Sequence, residues 1–418
     1  IAIGSSITNS TANQIVLGGT AQQVKISSAY TLPTADGTAN QVLTTDGSGA
    51  VTFATAGGGG ADLYVANESS PAAQPTAAGA NAIGIGDTAQ AAGADGVAIG
   101  LQSYARAQSA LGLFGDAQNT ESICIGRLSA ATADGAVQLG RNGYATAVDA
   151  VSLGKSRASG ASSFAAAITN NTSTYGATGA NSIAMGYLSK ATNVYSTSIG
   201  SVNNVTAYGG FGAGEYNTVS GDYGVAIGRY NTSGATVASR PNVALGYTNI
   251  ATGGMALAVG GNSDTQGIWG KMSHASGRFS VNGDAQNGRF VLRSDTTDAT
   301  AEALTTKNAT AAATNQVVLP NNSVYGFTGT IIARENSAQT NDFAVWEVKG
   351  GAVRAASAAT TALGSYNINK ISESTGAAAW AIAISADTTN GAIAFTVTGE
   401  ASHSIRWVAT INTTEVTY

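Results

Sequence analysis

The sequence predicts an all-β protein: an elongated parallel β-roll with coils of about 14 residues, followed by a C-terminal antiparallel β-sandwich. Three observations predict it. A tetrad of apolar, small, apolar and Gly residues returns through the middle of the chain, mostly at a 14-residue step. After each Gly, restricted small positions alternate with free ones, the period of a strand with one closed face. Beyond residue 266 the composition changes, because all four Trp and both His lie there.

The bulk composition fits this class and excludes others. The chain holds 54 Gly in 418 residues and only 10% charged residues, against roughly 25% in ordinary domains. With 43% hydrophobic residues, 5 Pro and a net charge of −5, it is not composed like a disordered chain. Nineteen Lys and Arg against 24 Asp and Glu leave no basic surface for nucleic acid. The single cysteine, Cys124, excludes an internal disulfide framework, and its place between Ile123 and Ile125 predicts a small buried hydrophobe. No run of about 18 apolar residues is present to span a membrane as a helix. The chain starts at Ile1 with no evident leader, so it reads as processed or truncated.

Residues 1–60 form the first expected segment, β-rich and suited to attachment. Short alternating runs (Gln14 to Leu17, Gln41 to Leu43) are separated by Gly-Gly, Asp36-Gly37 and Asp46-Gly47, which are turn signals. Gly57 to Gly60 make a flexible joint, and residues 61–80 a connector. The glycines lack the strand, GxxxxGK-S/T and helix context that would cradle a phosphate.

Residues 81–265 carry the repeat. Val97-Ala98-Ile99-Gly100 and Val225-Ala226-Ile227-Gly228 show the unit. Its glycines are Gly86, Gly100, Gly126, Gly140, Gly154, Gly186, Gly200, Gly214, Gly228, Gly246 and Gly260, with degenerate copies ending at Phe114 and Ile168. Nine of the twelve intervals are 14 residues. Counted from the Gly, positions +3 and +5 are small, as in Ser103 and Ala105 or Ser129 and Ala131. Each unit therefore reads as two short strands joined at a Gly that turns the backbone. The large residues at −3 and −1 are expected inside, packed against the small ones at +3 and +5. The small residues at −2 are expected outside, where another copy of the chain approaches. Stacked units satisfy one another's backbone groups, and thirteen coils make a rod on the order of 60 Å.

Residues 266–418 read as the sandwich, a knob with the longest strands, including Tyr325 to Ile332, Phe343 to Val348, Trp380 to Ile384, Ile393 to Val397 and Ile405 to Ala409. Asp387 to Gly391 marks a hairpin. Trp346, Trp380 and Trp407 alternate with Ile and Val and are expected in the core. Trp269 and Tyr325 lie at segment edges and are the candidate receptor-binding residues. His274 and His403 have no carboxylates at ligand spacing, so no metal and no cofactor is expected. Asp284, Asp295, Asp298 and Glu302 could serve as a glycosidase pair, but their setting is that of turn residues. No nucleophile elbow occurs, and the chain is expected not to be an enzyme.

The repeat resembles the head repeat of trimeric autotransporter adhesins, the YadA-like β-roll, whose signature is close to S-V-A-I-G-x-x-A-x-A. The resemblance covers about residues 81–262 and implies a left-handed roll in a homotrimer. Residues 30–53 (YTLPTADGTANQVLTTDGSGAVTF) are similar to a Pro- and Asp-Gly-punctuated segment of bacteriophage tail fibres, and residues 271–418 resemble a C-terminal domain of the fibre proteins of marine phages, cyanophages especially. That resemblance implies a virion tail fibre, extracellular, held by a tail or baseplate protein at its N-terminal end. Its C-terminal end would bind a host surface glycan or protein. Alternatives are a bacterial trimeric surface adhesin, for which neither a heptad stalk nor a membrane-anchor segment is evident, a self-assembling extracellular filament, and a depolymerase.

Overall fold

A computed structural model of the chain describes residues 73–167, 174–234, 240–336 and 341–418, with short stretches of the first 55, the longest being 41–55. The chain divides into two units, Ile1–Ser69 and Ser70–Tyr418. In the first, Gln41–Thr45 and Val51–Thr55 form an antiparallel hairpin. Its turn falls at Asp46-Gly47, where the Asp46 carboxylate accepts the backbone N–H groups of Ser48 and Ala50 at 2.8 and 3.1 Å. Gly57 to Gly60 lie outside the described residues.

The second unit opens with the repeat, an all-β parallel solenoid of about 14-residue coils. Every coil contributes one strand to each of two parallel sheets. One sheet has thirteen two-residue strands, from Thr76–Ala77 to Ile250–Ala251. The other runs from Ile83–Ile85 to Leu257–Gly261, with tetrads in register coil to coil, such as Val97↔Leu111, Ala98↔Gly112 and Ile99↔Leu113.

The side chains face the opposite way from the expectation. Position −2 points inward: Ala98, Cys124, Gln138, Ala184 and Ala226 are fully buried, together with +3 (Ser103, Asn217) and +5 (Ala105, Val219). The large residues at −3 and −1 point outward, with Ile125 36% and Ile227 42% exposed. The reason is the width of the coil. Two strands this short, joined by tight corners, leave room between the sheets for methyl, hydroxyl and amide groups, not for Ile against Ala. Alternation does not say which of its two faces is inside.

The corners need left-handed backbone. Gly228 has φ +117°, and a Cβ there would stand 2.0 Å from the Gly246 carbonyl oxygen of the next coil. Most coils have two further left-handed positions, as at Gln102 (φ 53°) and Ser109 (φ 54°), the second being Gly in two coils, at Gly135 and Gly209. Phe114 takes a corner at φ 54° in a coil shortened by two residues. The copy that spacing put at Ile168 lies one residue earlier. Phe164–Ala166 pairs with Val151–Leu153, and Ala167 (φ 58°) is the corner. From Gly200 to Gly246 position +3 is Asn, and Asn203, Asn217, Asn231 and Asn249 stack as a buried amide ladder that ends at Ser263.

The coil sheet continues into the C-terminal part. Leu257–Gly261 pairs in parallel with Met272–Ser276, which pairs antiparallel with Ala285–Thr296. Beyond it come Ile405–Thr417, Ser323–Glu335, Phe343–Arg354 and Ala362–Glu373, all antiparallel. A smaller sheet of Ala301–Ala303, Val317–Val318, Ala381–Asp387 and Ala392–Thr398 lies against this one. Trp346, Trp380, Trp407, Phe290 and Phe395 fill the space between the two sheets. Trp346 and Trp407 stack at 5.6 Å, and the Trp407 indole N–H donates to Thr296 Oγ1 at 2.9 Å. Where the coils meet this layer, Lys271 and Glu415 form a fully buried ion pair at 2.8 Å.

Candidate functional site

The largest chemical feature of the solenoid is its outer aliphatic face. Because −3 and −1 project from the same side of every strand, the sheet carries two parallel files. One includes Val97, Leu111, Ile123 and Val137, the other Ile99, Leu113, Ile125 and Leu139. Thirteen rungs at about 4.8 Å give a band on the order of 60 Å long. Soluble monomers rarely leave such a surface in water.

The two sequence-predicted receptor residues part company. Tyr325, expected at a free edge, is fully buried near the start of Ser323–Glu335, a strand longer than its apolar run indicated. Its hydroxyl donates to Gln266 Oε1 at 2.9 Å, beside the Lys271–Glu415 pair, and burial raises its pKa well above the ordinary value. It holds the junction between coils and sandwich and has no surface for a ligand. Trp269 is different, being only partly buried, whereas the other three Trp are at most 2% exposed. It sits in the turn between the last coil strand and Met272, with its backbone N–H donating to the Thr314 carbonyl at 2.8 Å. Lys307 Nζ stands 4.4 Å from its ring centre, and the Arg240 guanidinium 5.9 Å. The two cations were missed at sequence level because 240 and 307 are far apart in the chain and neither belongs to a motif.

A trough of about 640 Å³ opens on the outer face of the large C-terminal sheet, over Gly326 and Gly350. Asn287, Thr328, Lys349, Tyr366, Asn367 and Asn412 line it. Through the register Leu257↔Met272↔Arg289↔Asn412 it shares the side of the sheet that bears the aliphatic files.

The carboxylates considered as a glycosidase pair are all engaged. Burial opposes ionisation of Asp284, but the N–H groups of Ser280, Val281 and Phe279 hold its carboxyl below the ordinary value. Asp295 faces Arg406 at 3.3 Å, the Thr300 N–H lowers the pKa of Asp298, and Glu302 accepts the Ser294 hydroxyl at 2.8 Å. His274 is exposed, and His403 Nδ1 meets Glu335 at 2.9 Å. No group of three His, Cys, Asp or Glu placed to hold a metal occurs among the described residues. Burial pushes the Cys124 thiol up to about 11, so it is a core residue rather than a nucleophile.

These features define a class: an all-β solenoid protein closed at its C-terminal end by a sandwich that shares its sheet. No protein-family model and no curated protein matches the chain. Among solved structures it is similar to the Acinetobacter phage vB_ApiP_P1 tailspike protein, at 10% identity and a TM-score of 0.18, over 74% of this chain and 82% of that one. It is also similar to the tailspike protein of Acinetobacter baumannii phage AM24, at 8% identity and a TM-score of 0.17, over 76% of this chain and 62% of that one. At scores this low the two superpose little.

Proposed function

We propose that the chain is the subunit of a homotrimeric, virion-borne adhesive fibre of the phage tail-fibre or tailspike kind. The outer aliphatic face carries this reading. Its two files leave Ile, Val, Leu, Met and Phe side chains partly in water along most of the coils, with breaks at Ala166, Thr197 and Ala213, and association with further copies removes them. At roughly 25 cal/mol per Å² of apolar surface, a band of this length supplies a large association free energy. The number three comes from the resemblance of the repeat. The first unit attaches the fibre to the particle and the C-terminal end meets the host surface, where it binds rather than cleaves.

Native mass spectrometry of the full chain tests the assembly, with three copies expected. Replacing Ile125 and Ile227 by Lys, both outward in the coil sheet, should yield monomers that keep a β-rich circular dichroism spectrum. A wild-type monomer at micromolar concentration would overturn the proposal. Mass spectrometry of purified virions tests the location, and finding the chain only on bacterial surfaces would replace the viral reading with the surface adhesin. Reducing ends released from host polysaccharide would overturn binding without cleavage.

A further inference from the structure

We propose that the corner formed by Arg240, Trp269 and Lys307 binds a carboxylate-bearing sugar unit of a surface polysaccharide. The proposal rests on the adhesive role above and names its ligand class. Trp269 is the one Trp that is not fully buried, and two cations converge on its ring. Neither Arg240 nor Lys307 faces a carboxylate at ion-pair distance among the described residues. The ion pairs fall instead to Arg106, Arg229, Lys271, Lys370, His403 and Arg406. In a chain of 418 residues with only 19 Lys and Arg, two unanswered positive charges on one aromatic ring make a concentrated positive site.

The site is held by backbone, not by the cations. Gly254 lies against the Trp269 ring, where a Cβ would stand 2.9 Å from two of its atoms, and its carbonyl accepts the Gly270 N–H at 3.0 Å. The Trp269 N–H is fixed to Thr314 on the neighbouring loop. The ring thus stays in place without a ligand, which lowers the ordering cost of binding. Arg240 and Gly254 belong to the connections leading from the two-residue strands back to the tetrad strands, so the site lies apart from the aliphatic face.

The chemistry selects the ligand. The C–H groups of a pyranose ring pack on the part of the indole that the two cations leave uncovered, and the cations, which lie over the ring, answer its carboxylate. A neutral sugar would leave both charges unmet. A simple polyanion would use the charges and leave the ring idle.

The experiment is binding of the full chain to immobilised polygalacturonate, dextran sulfate and dextran, at fixed ionic strength. Polygalacturonate should be bound and dextran not. Lys307→Ala with Arg240→Ala, and separately Trp269→Ala, should each weaken polygalacturonate binding roughly tenfold or more. Lys307→Arg should preserve it. Melting temperature and native mass serve as fold controls, and Lys307→Glu provides a charge-only variant should Trp269→Ala unfold. Equal binding to dextran would overturn the proposal. So would unchanged polygalacturonate binding in the double variant, or binding confined to dextran sulfate that survives Trp269→Ala. A monomeric native mass with intact, variant-sensitive polygalacturonate binding would sink the trimer and leave this site standing.

Discussion

At the scale of single residues, the buried polar groups make the sharpest claims. Asn217 Nδ2 donates to the carbonyls of Ala213 and Gly228 at 3.0 and 2.8 Å, and its Oδ1 accepts the Asn231 N–H at 3.0 Å. Asn217→Ala would strand buried partners on two coils, at about 1–3 kcal/mol for each unsatisfied group. Asn217→Ser should cost less, since Ser189 at the same place in another coil reaches the Gly200 carbonyl at 2.9 Å. Denaturant or thermal melting of the two variants checks the order. Lys271→Met should destabilise by about 3–5 kcal/mol, because Glu415 would remain as an unpaired buried charge, and adding Glu415→Gln should recover most of the loss. His403 gives a pH test. Its hydrogen bond to Glu335, helped by that carboxylate's charge, raises its pKa above the ordinary 6.5. The folded value exceeds the unfolded one, so the stabilisation is full below about 6.5 and disappears as pH rises through the folded value. An NMR titration should place the His403 midpoint above 6.5, and Glu335→Gln should bring it down.

At the scale of the element, the coil behaves as an interchangeable unit. Removing residues 127–140 joins Gly126 to Arg141 and restores the same corner, since Arg127 and Arg141 hold equivalent places. Such a deletion should fold with nearly the same melting temperature and a rod shorter by about 4.8 Å, whereas a seven-residue deletion should not fold. The coil was legible because glycines at left-handed corners are a chemical necessity that leaves a countable period. Its inside and outside were not. Val97 and Ile99 alternate with Ala98 whichever face is buried, and only the narrow spacing of the two sheets decides for Ala98. The left-handed corners at Gln102 and Ser109 carry no sequence mark, because each is fixed by the coil below it. The same holds for the proposed binding corner. Trp269 could be singled out from its place in the chain, but Arg240 and Lys307 reach it only through the fold, and Tyr325 was misjudged because its strand is longer than its apolar run.

At the scale of the whole second unit, coils and sandwich are joined by a sheet, not by a linker. Leu257–Gly261, Met272–Ser276 and Ala285–Thr296 are consecutive strands of one hydrogen-bonded surface. The sandwich therefore covers the last coil, whose open edge would otherwise recruit other chains. The buried Lys271–Glu415 pair ties the turn just before Met272–Ser276 to Ile405–Thr417, the last strand in the chain.

That shared sheet also sets how a mechanical load passes through the second unit. A tug on the tip runs across a ladder of backbone hydrogen bonds, loaded together, into the rod, with no hinge between to absorb it. A pull on the sandwich would thus reach the first coil undamped.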